Sequence, residues 1–446
     1  MIDRLLDAVR RRVDGGDALW RREERTSVAF ESGRLKSAGI AEEAGLNLRV
    51  MAGGRVGVAG TTAAAPDLDA LVARARASAE LGEAVDLAFP PPAASSPPHV
   101  PTHFDRAANA SLDELIRMGR ALVERLTREG CQVNVALERE VSETTVGNTA
   151  GARGAYRGTA MAVTAEVIRI AADDVLMVYD QFLGAELPGS PELDALIRSI
   201  ETRLEPALTI VEPPDGALPV VFTPAGLAAV LLPLEQALSG KSVLQGTSPL
   251  ADRVGAPAFD PRFSLTDDPL APGRPASRPI DDECVPSRAT ALVERGVVRG
   301  FVYDLETAAR AGATSTGHGR RGTFGKPRIA YTNLIIGDGP AAVGARHAVP
   351  LPLGGGLLDG IVDGLVVDDL IGVGQGNVIG GAFSHPVALA YRVRRGEIAG
   401  RVKDAAVAGN AYELLKRIGG FGTDGRWLGS RRSPSLLLEG VSVVRR

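Results

Sequence analysis

The sequence predicts an α+β protein: two helix–sheet units in the N-terminal half, followed by a β-rich C-terminal domain. Three observations predict it. Helical periodicity alternates with strand patterning in the same order, helix, strands, helix, in residues 1–87 and again in residues 104–212. A Pro-, Ala- and Ser-rich stretch at 88–103 separates the two. From 213 to 446 the chain becomes rich in Gly and in short β-branched runs. The expected division is therefore 1–87, a linker or surface strap at 88–103, 104–212 and 213–446.

In the first unit, Ile2, Leu5, Leu6, Val9 and Val13 mark an amphipathic helix. Trp20 to Phe30 reads as a strand, with a turn at Glu31-Ser32-Gly33-Arg34. Leu46-Asn47-Leu48-Arg49-Val50 alternates, and Gly53-Gly54 turns it into Arg55–Ala59. Leu68, Leu71, Val72, Ala75 and Ala79 give a second helix over 67–81. In the strap, His99 and His103 have HxxxH spacing, but Pro98 and Pro101 forbid the helix that would let them chelate a metal.

In the second unit, Ser111 caps a helix with Leu112, Leu115, Ile116, Gly119, Leu122, Val123 and Leu126 on one face. Strands follow at 132–141, 153–170 and 175–182, with Gly147-Asn148 and Asp173-Asp174 as turn material and a helix at 193–204.

The third part opens with the strand Leu218–Thr223 and a helix read from Pro224, at its first position, to a stop at Gly240. Leu227, Val230, Leu231, Leu234 and Leu238 form its apolar face. Its only ionisable side chain is Glu235, and the interior Pro233 costs about 3 kcal/mol. A hairpin over 291–302 turns at Arg295-Gly296, and a short helix covers 305–311. Strands are expected at 329–336, 362–367, 387–394 and 435–444.

The 446 residues are 45% hydrophobic and 4% aromatic, so the core is aliphatic. A net charge of −4 argues against a general nucleic-acid or membrane-surface binder, and only five of 50 basic residues are Lys. Cys131 and Cys284, the only cysteines, make neither a disulfide framework nor a four-Cys zinc site. The N-terminus lacks a signal-like apolar core and no run reaches the ~18–20 apolar residues of a span, so a cytoplasmic protein is expected.

Several groupings invite chemistry. Gly372–Gly381 is Gly-rich but has no GxGxxG leading into a helix and no Gly-Lys-Ser/Thr. Gly317, His318, Gly319, Arg320 and Arg321 read as a charged, flexible loop able to hold a carboxylate or peptide terminus; the plainer reading is a solvated turn. Ser384 and His385 are adjacent in a strand and so face opposite ways. Asp267-Asp268 and Asp281-Asp282-Glu283 read as solvated acidic loops rather than cation sites. Cys284 has no neighbouring base in sequence.

A wider resemblance rests on an ordered set of stretches. They are Val28–Ser37, Gly45–Val50, Val297–Asp304, Ala308-Ala309-Arg310, Ser315–Gly319, Asn377–Ser384 and Arg395–Ile398. In this set the chain resembles the TldD/TldE family, also called PmbA or "modulator of DNA gyrase" proteins. The resemblance implies a metallopeptidase system in which a TldD-type subunit carries HExxxH on the helix after a strand like 218–222, with a Cys in the C-terminal region completing a zinc site. In this chain Pro233, Leu234 and Leu238 stand at the positions of His, Glu and His, and Phe421 at that of Cys. The chain is thus similar to the TldE/PmbA type, although Arg320-Arg321 is closer to the TldD-type loop.

The resemblance therefore implies a non-catalytic subunit that binds no cofactor of its own. It would pair with a zinc-bearing TldD-like partner to cleave or mature unstructured peptides, contributing dimer interface and peptide groove. The alternatives are a stand-alone metallopeptidase using His318, His385, Asp281, Asp282 and Glu283, or a peptide-binding regulatory protein. A homodimer is compatible with the chain when it is alone, and the sequence does not decide it.

Overall fold

The computed structural model describes residues 1–94, 96–172, 174–337 and 353–445. The chain opens with α1 (Ile2–Arg10), whose Ile2, Leu5, Leu6 and Val9 are buried as their spacing requires. β1 (Gly15–Glu31) and β2 (Arg34–Ala52) form a long hairpin about the Ser32-Gly33 turn, and β3 (Arg55–Thr61) extends it. The Asp67 carboxylate caps α2 (Leu68–Glu80) by accepting the Ala70 N–H.

After the strap comes a single turn, α3 (Asp105–Ala108), and then α4 (Leu112–Leu126), where the Ser111 hydroxyl accepts the Glu114 N–H as its sequence indicates. β4 (Cys131–Asn148), β5 (Arg153–Ala171) and β6 (Asp174–Gly184) form a meander, and α5 (Ser190–Ala207) packs on it. Gly147 and Asn148 finish β4 instead of turning, because both still pair with β1. Of the expected Asp173-Asp174 turn, Asp174 begins β6 and Asp173 lies outside the described residues.

The two N-terminal units share one six-stranded sheet in the order β3-β2-β1-β4-β5-β6, joined by antiparallel pairing of β1 with β4. Their cores stay separate. One gathers α1, α2 and the inner ends of β1 and β2; the other gathers α4, α5 and the inner faces of β4 to β6. The strap at 88–103 is tied along this sheet. The Asn148 amide donates to Pro90 O at 2.9 Å, the Thr102 hydroxyl to Arg157 O at 2.6 Å, and Phe89 lies 5.5 Å from the Arg49 guanidinium.

β7 (Ile210–Val211) leads to β8 (Gly216–Phe222) and α6 (Ala228–Ala237). In an eight-stranded sheet, five strands close on themselves: Asp363–Leu370, β8, Leu436–Arg445, Ala405–Asn410 and Ala382–Arg394, the last returning to pair with Asp363–Leu370. Strand alternation sorts the cores. Val220 and Phe222 face the C-terminal core with α6, whereas Val221 joins the core around α4 and α5. A second six-stranded sheet contains Val297–Val298, Thr290–Glu294, Leu265–Asp267, Leu334–Ile336, Arg431–Ser433 and Arg426–Leu428.

Three expectations near β8 need correction. Pro224 sits in a turn and α6 begins four residues later, at Ala228. Gly240 does not end α6; it opens the next short helix, Gly240–Leu244, where a Cβ would collide with the Tyr303 ring. The strand expected over 329–336 is two short pieces, Arg328–Ile329 and Leu334–Ile336, in different sheets. No helix among the described residues is long and apolar enough to cross a membrane.

Candidate functional site

The helix positions singled out in the sequence are built from β8 upward. Thr223 follows the last residue of the strand, with its hydroxyl donating to Asp368 Oδ1 at 2.8 Å. Asp368 in turn binds Arg203 of α5 at 2.9 Å, so the strand end is locked to the unit behind it. α6 then crosses the closed sheet. Leu234 and Leu238 are fully buried and Pro233 is buried. The helix is apolar nearly all round, as a helix enclosed in a core should be.

Pro233, Ala229 and Leu232 form one wall of a cavity of about 120 Å³. The opposite wall comes from the Gly-rich segment, through Val373, Gly374, Gln375 and Val378, and from Ala382 to His385. The Tyr412 hydroxyl bonds to Pro233 O at 3.2 Å and Ile379 O at 2.7 Å, which ties the helix to that segment. Phe421 lies two strands away from Phe222, paired to Leu436, with Arg262 5.9 Å from its ring.

This surrounding offers a metal no donor set. Pro, Leu, Leu and Phe side chains have no lone pair to give. Glu235, the one carboxylate on α6, is bound to Arg431 at 2.8 Å, and its own burial pushes its pKa up. Among the described residues His385 is the only imidazole lining the cavity. It stacks on Phe383 at 5.9 Å, and burial lowers its pKa. Ser384 points to the other side of the strand, exposed, so the two do not form a nucleophile–base pair. Among the described residues no group of three or more His, Cys, Asp or Glu is arranged to hold a metal.

The second sequence-predicted group, Gly317–Arg321, is largely buried and is not a solvated turn. Gly319–Arg320 is a short strand paired to Arg328–Ile329. His318 is buried, with Nε2 2.9 Å from Asp267 Oδ2 and Nδ1 2.8 Å from the Thr316 hydroxyl. Gly319 lies so close to Glu283 that a Cβ would overlap its side chain. Arg321 is buried and its Nη1 donates to Asp17 Oδ1 at 2.8 Å. Arg320, bonded to Tyr156 and Asp282, is the exception, with its side chain 39% exposed.

The acidic run Asp281-Asp282-Glu283 is also misread from sequence. All three are fully buried, on partners from distant parts of the chain. Asp282 accepts from Arg21 at 3.0 Å and from the Arg321 N–H at 2.9 Å. Burial pushes its pKa up, but Arg320 and Arg21 outweigh that and hold it at about 2. Glu283 accepts from Arg49 at 2.6 Å and from the Leu305 N–H at 2.7 Å. Burial raises its pKa despite Arg49, with Asp281 adding to the rise. Asp281 accepts from three backbone N–H groups, and burial raises its pKa above the ordinary carboxylate range.

Arg49 stands at the centre of this cluster. It grips Asp17 through Nε at 3.1 Å and Nη2 at 2.5 Å, and reaches Glu283 with Nη1. Charges from β1, β2 and the C-terminal domain thus interlock without solvent. The cluster has no free nucleophile: the Cys284 thiol is buried and its pKa is driven upward, which keeps it protonated and inert. Its role is a clamp between the N-terminal sheet and the C-terminal domain. His99 and His103 lie on the extended strap and do not converge on a site; His103 Nε2 is 3.5 Å from Asp105.

Comparison with known proteins gives a consistent result. A family model described as the PmbA/TldA metallopeptidase C-terminal domain matches residues 215–445, and one described as PmbA/TldA metallopeptidase domain 1 matches residues 16–79. A metalloprotease TldD homolog of Haemophilus influenzae is 27% identical over 219 residues, which cover 47% of this chain and 42% of that protein. A metalloprotease of Methanothermobacter thermautotrophicus is 28% identical over 245 residues, 54% of this chain and 51% of the relative. The chain spans about half the length of the curated relatives it matches. The crystal structure of TldE from Thermococcus kodakarensis superposes with a TM-score of 0.86 at 22% identity, covering 99% of each chain, a likeness of fold.

Proposed function

The chain belongs to the PmbA/TldA metallopeptidase family, and from that membership we propose that it is the non-catalytic subunit of a heterodimeric zinc peptidase. One observation carries the reading: Pro233, Leu234 and Leu238 put no donor on the helix where a metallopeptidase of this kind needs His, Glu and His, and Leu234 and Leu238 are fully buried. A metallopeptidase needs ligands for zinc and a base for the water it activates. When bound, zinc supplies a Lewis acid and a lowered water pKa, and in this reading a TldD-like partner holds it.

This subunit contributes dimer interface and one wall of the groove for an unstructured peptide. The 120 Å³ cavity between Pro233 and the Gly-rich segment has room for one side chain of such a peptide, with Gln375 and His385 as its polar contacts. Within Gly317 to Arg321, the partly exposed Arg320 guanidinium is the group we assign to meet a peptide carboxylate, beside its pairing with Asp282. A cytoplasmic location suits such a peptidase, which meets its unfolded or precursor peptides where they are made.

The reading is tested by incubating the purified chain with an unstructured peptide, alone and with a zinc-bearing relative. Cleavage only in the mixture, abolished by a chelator, is the expected result. Chelator-sensitive cleavage by the chain alone would overturn it.

A further inference from the structure

We propose that Arg274 and Arg432, which meet at Trp427 on one face of the second six-stranded sheet, form a site for a phosphate dianion. Trp427 and Arg432 are opposed residues of the antiparallel pair Arg426–Leu428 and Arg431–Ser433, so their side chains share a face. Leu428 and Arg431 take the other face, where Arg431 reaches Glu235 of α6. Arg274 arrives from the Pro-rich segment that follows Leu265–Asp267 and lays its guanidinium over the Trp427 ring, 4.3 Å from the centroid. Its Nη2 donates to Gly429 O at 2.6 Å. Two cationic heads thus stand against one hairpin at the edge of the sheet.

Both arginines are buried, 5% and 8% exposed, and they lack what the other buried arginines have. Arg49, Arg139, Arg203, Arg321 and Arg401 each bind a carboxylate. Arg278 lies within the field of Asp281 and Asp282. Among the described residues no carboxylate pairs with Arg274 or Arg432; the Arg274 Nε is buried without a hydrogen-bond partner, and the Arg432 guanidinium makes no hydrogen bond. Acids close by in the chain are spent or in water. Asp424 gives both oxygens to Ser435, and Glu186, beside Gly273, is exposed. Burial lowers the pKa of both guanidinium groups, Arg274 to about 10, and leaves them charged at neutral pH. Two positive charges held out of water without an anion are costly. A phosphate dianion neutralises both, and its oxygens suit the planar donor edge of a guanidinium; a monocarboxylate leaves one charge unmatched. Gly425 leaves space at the Arg432 head, whose Nη2 is 3.6 Å from where a Cβ would stand. Ser430, in the turn beside Gly429, is exposed, so solvent reaches this end of the hairpin.

Calorimetric titration of the full chain with inorganic phosphate at constant ionic strength, paired with thermal unfolding, tests the site. One equivalent per chain is expected, with a raised unfolding temperature and no such effect from acetate. Arg432→Met keeps the apolar stem and deletes the guanidinium; it should weaken phosphate binding at least about tenfold. Without phosphate this variant should unfold at the wild-type temperature or above it, because it removes an uncompensated buried charge. Arg274→Met should weaken binding in the same way. Phosphoserine titrated in parallel separates the two sources of the group: tighter binding than inorganic phosphate assigns a phosphorylated small molecule, and weaker binding assigns the free ion. Neither heat nor a thermal shift with phosphate would overturn the proposal. So would equal phosphate binding by the wild type and both variants, which means an adventitious ion only, or an acetate effect as large as that of phosphate.

Discussion

Replacing Arg49 with leucine is expected to cost about 3–5 kcal/mol of stability, the loss that follows when one partner of a buried ion pair is removed. Arg49 is fully buried and makes three bonds to two carboxylates. Its removal leaves Asp17 with Arg321 as the one remaining guanidinium. Glu283 suffers less, because burial and Asp281 already push its pKa up and so lower the cost of taking a proton. The loss therefore falls mainly on Asp17, whose carboxyl is buried yet held below its ordinary range by Arg321 and Arg49. Adding Asp17→Asn to Arg49→Leu should recover part of it. The urea midpoint reads both changes. A midpoint shift no larger than that of an exposed-pair control, Lys36→Ala, would mean that the cluster is not a clamp.

The second large effect concerns α6. Leu234→Ala should cost about 2–5 kcal/mol through lost burial and the cavity left behind. Leu234→Glu should cost more, because it places a carboxylate at a fully buried position next to Glu235 with no cation on the helix to receive it. The contrast separates a site that has been filled by core from one that has merely lost its ligands. Thermal unfolding of the two variants decides it. If Leu234→Glu kept wild-type stability, the position would be open to water, and the helix would be an emptied cleft.

Local chemistry was legible in the sequence wherever it decides structure locally. The cap at Ser111, the turns at Ser32-Gly33 and Arg295-Gly296, and the helix Leu305–Ala311 all stand where their residues place them. The donor-free face of α6 could be read because it depends on spacing along one helix. What could not be read depends on partners far apart in the chain. Asn47 and Arg49 alternate with Leu46, Leu48 and Val50 as a solvent-facing row would, yet both are fully buried. Their partners are Thr323, Gly325, Asp17 and Glu283, up to 278 residues away. Asp281 to Glu283 lie among turns that look exposed for the same reason. A single polar alternation does not say whether the polar face meets water or a second set of charges. The joining of two units into one sheet was hidden likewise, because the pairing of β1 with β4 spans the strap.

The central claim is that this chain brings no zinc of its own to the peptidase. Elemental mass spectrometry of the purified protein after mild dialysis tests it most directly. The account predicts less than about a tenth of an equivalent of zinc, against the near-stoichiometric retention expected of a tight protein site. Close to one equivalent would contradict it and would point to donors around His318 or His385.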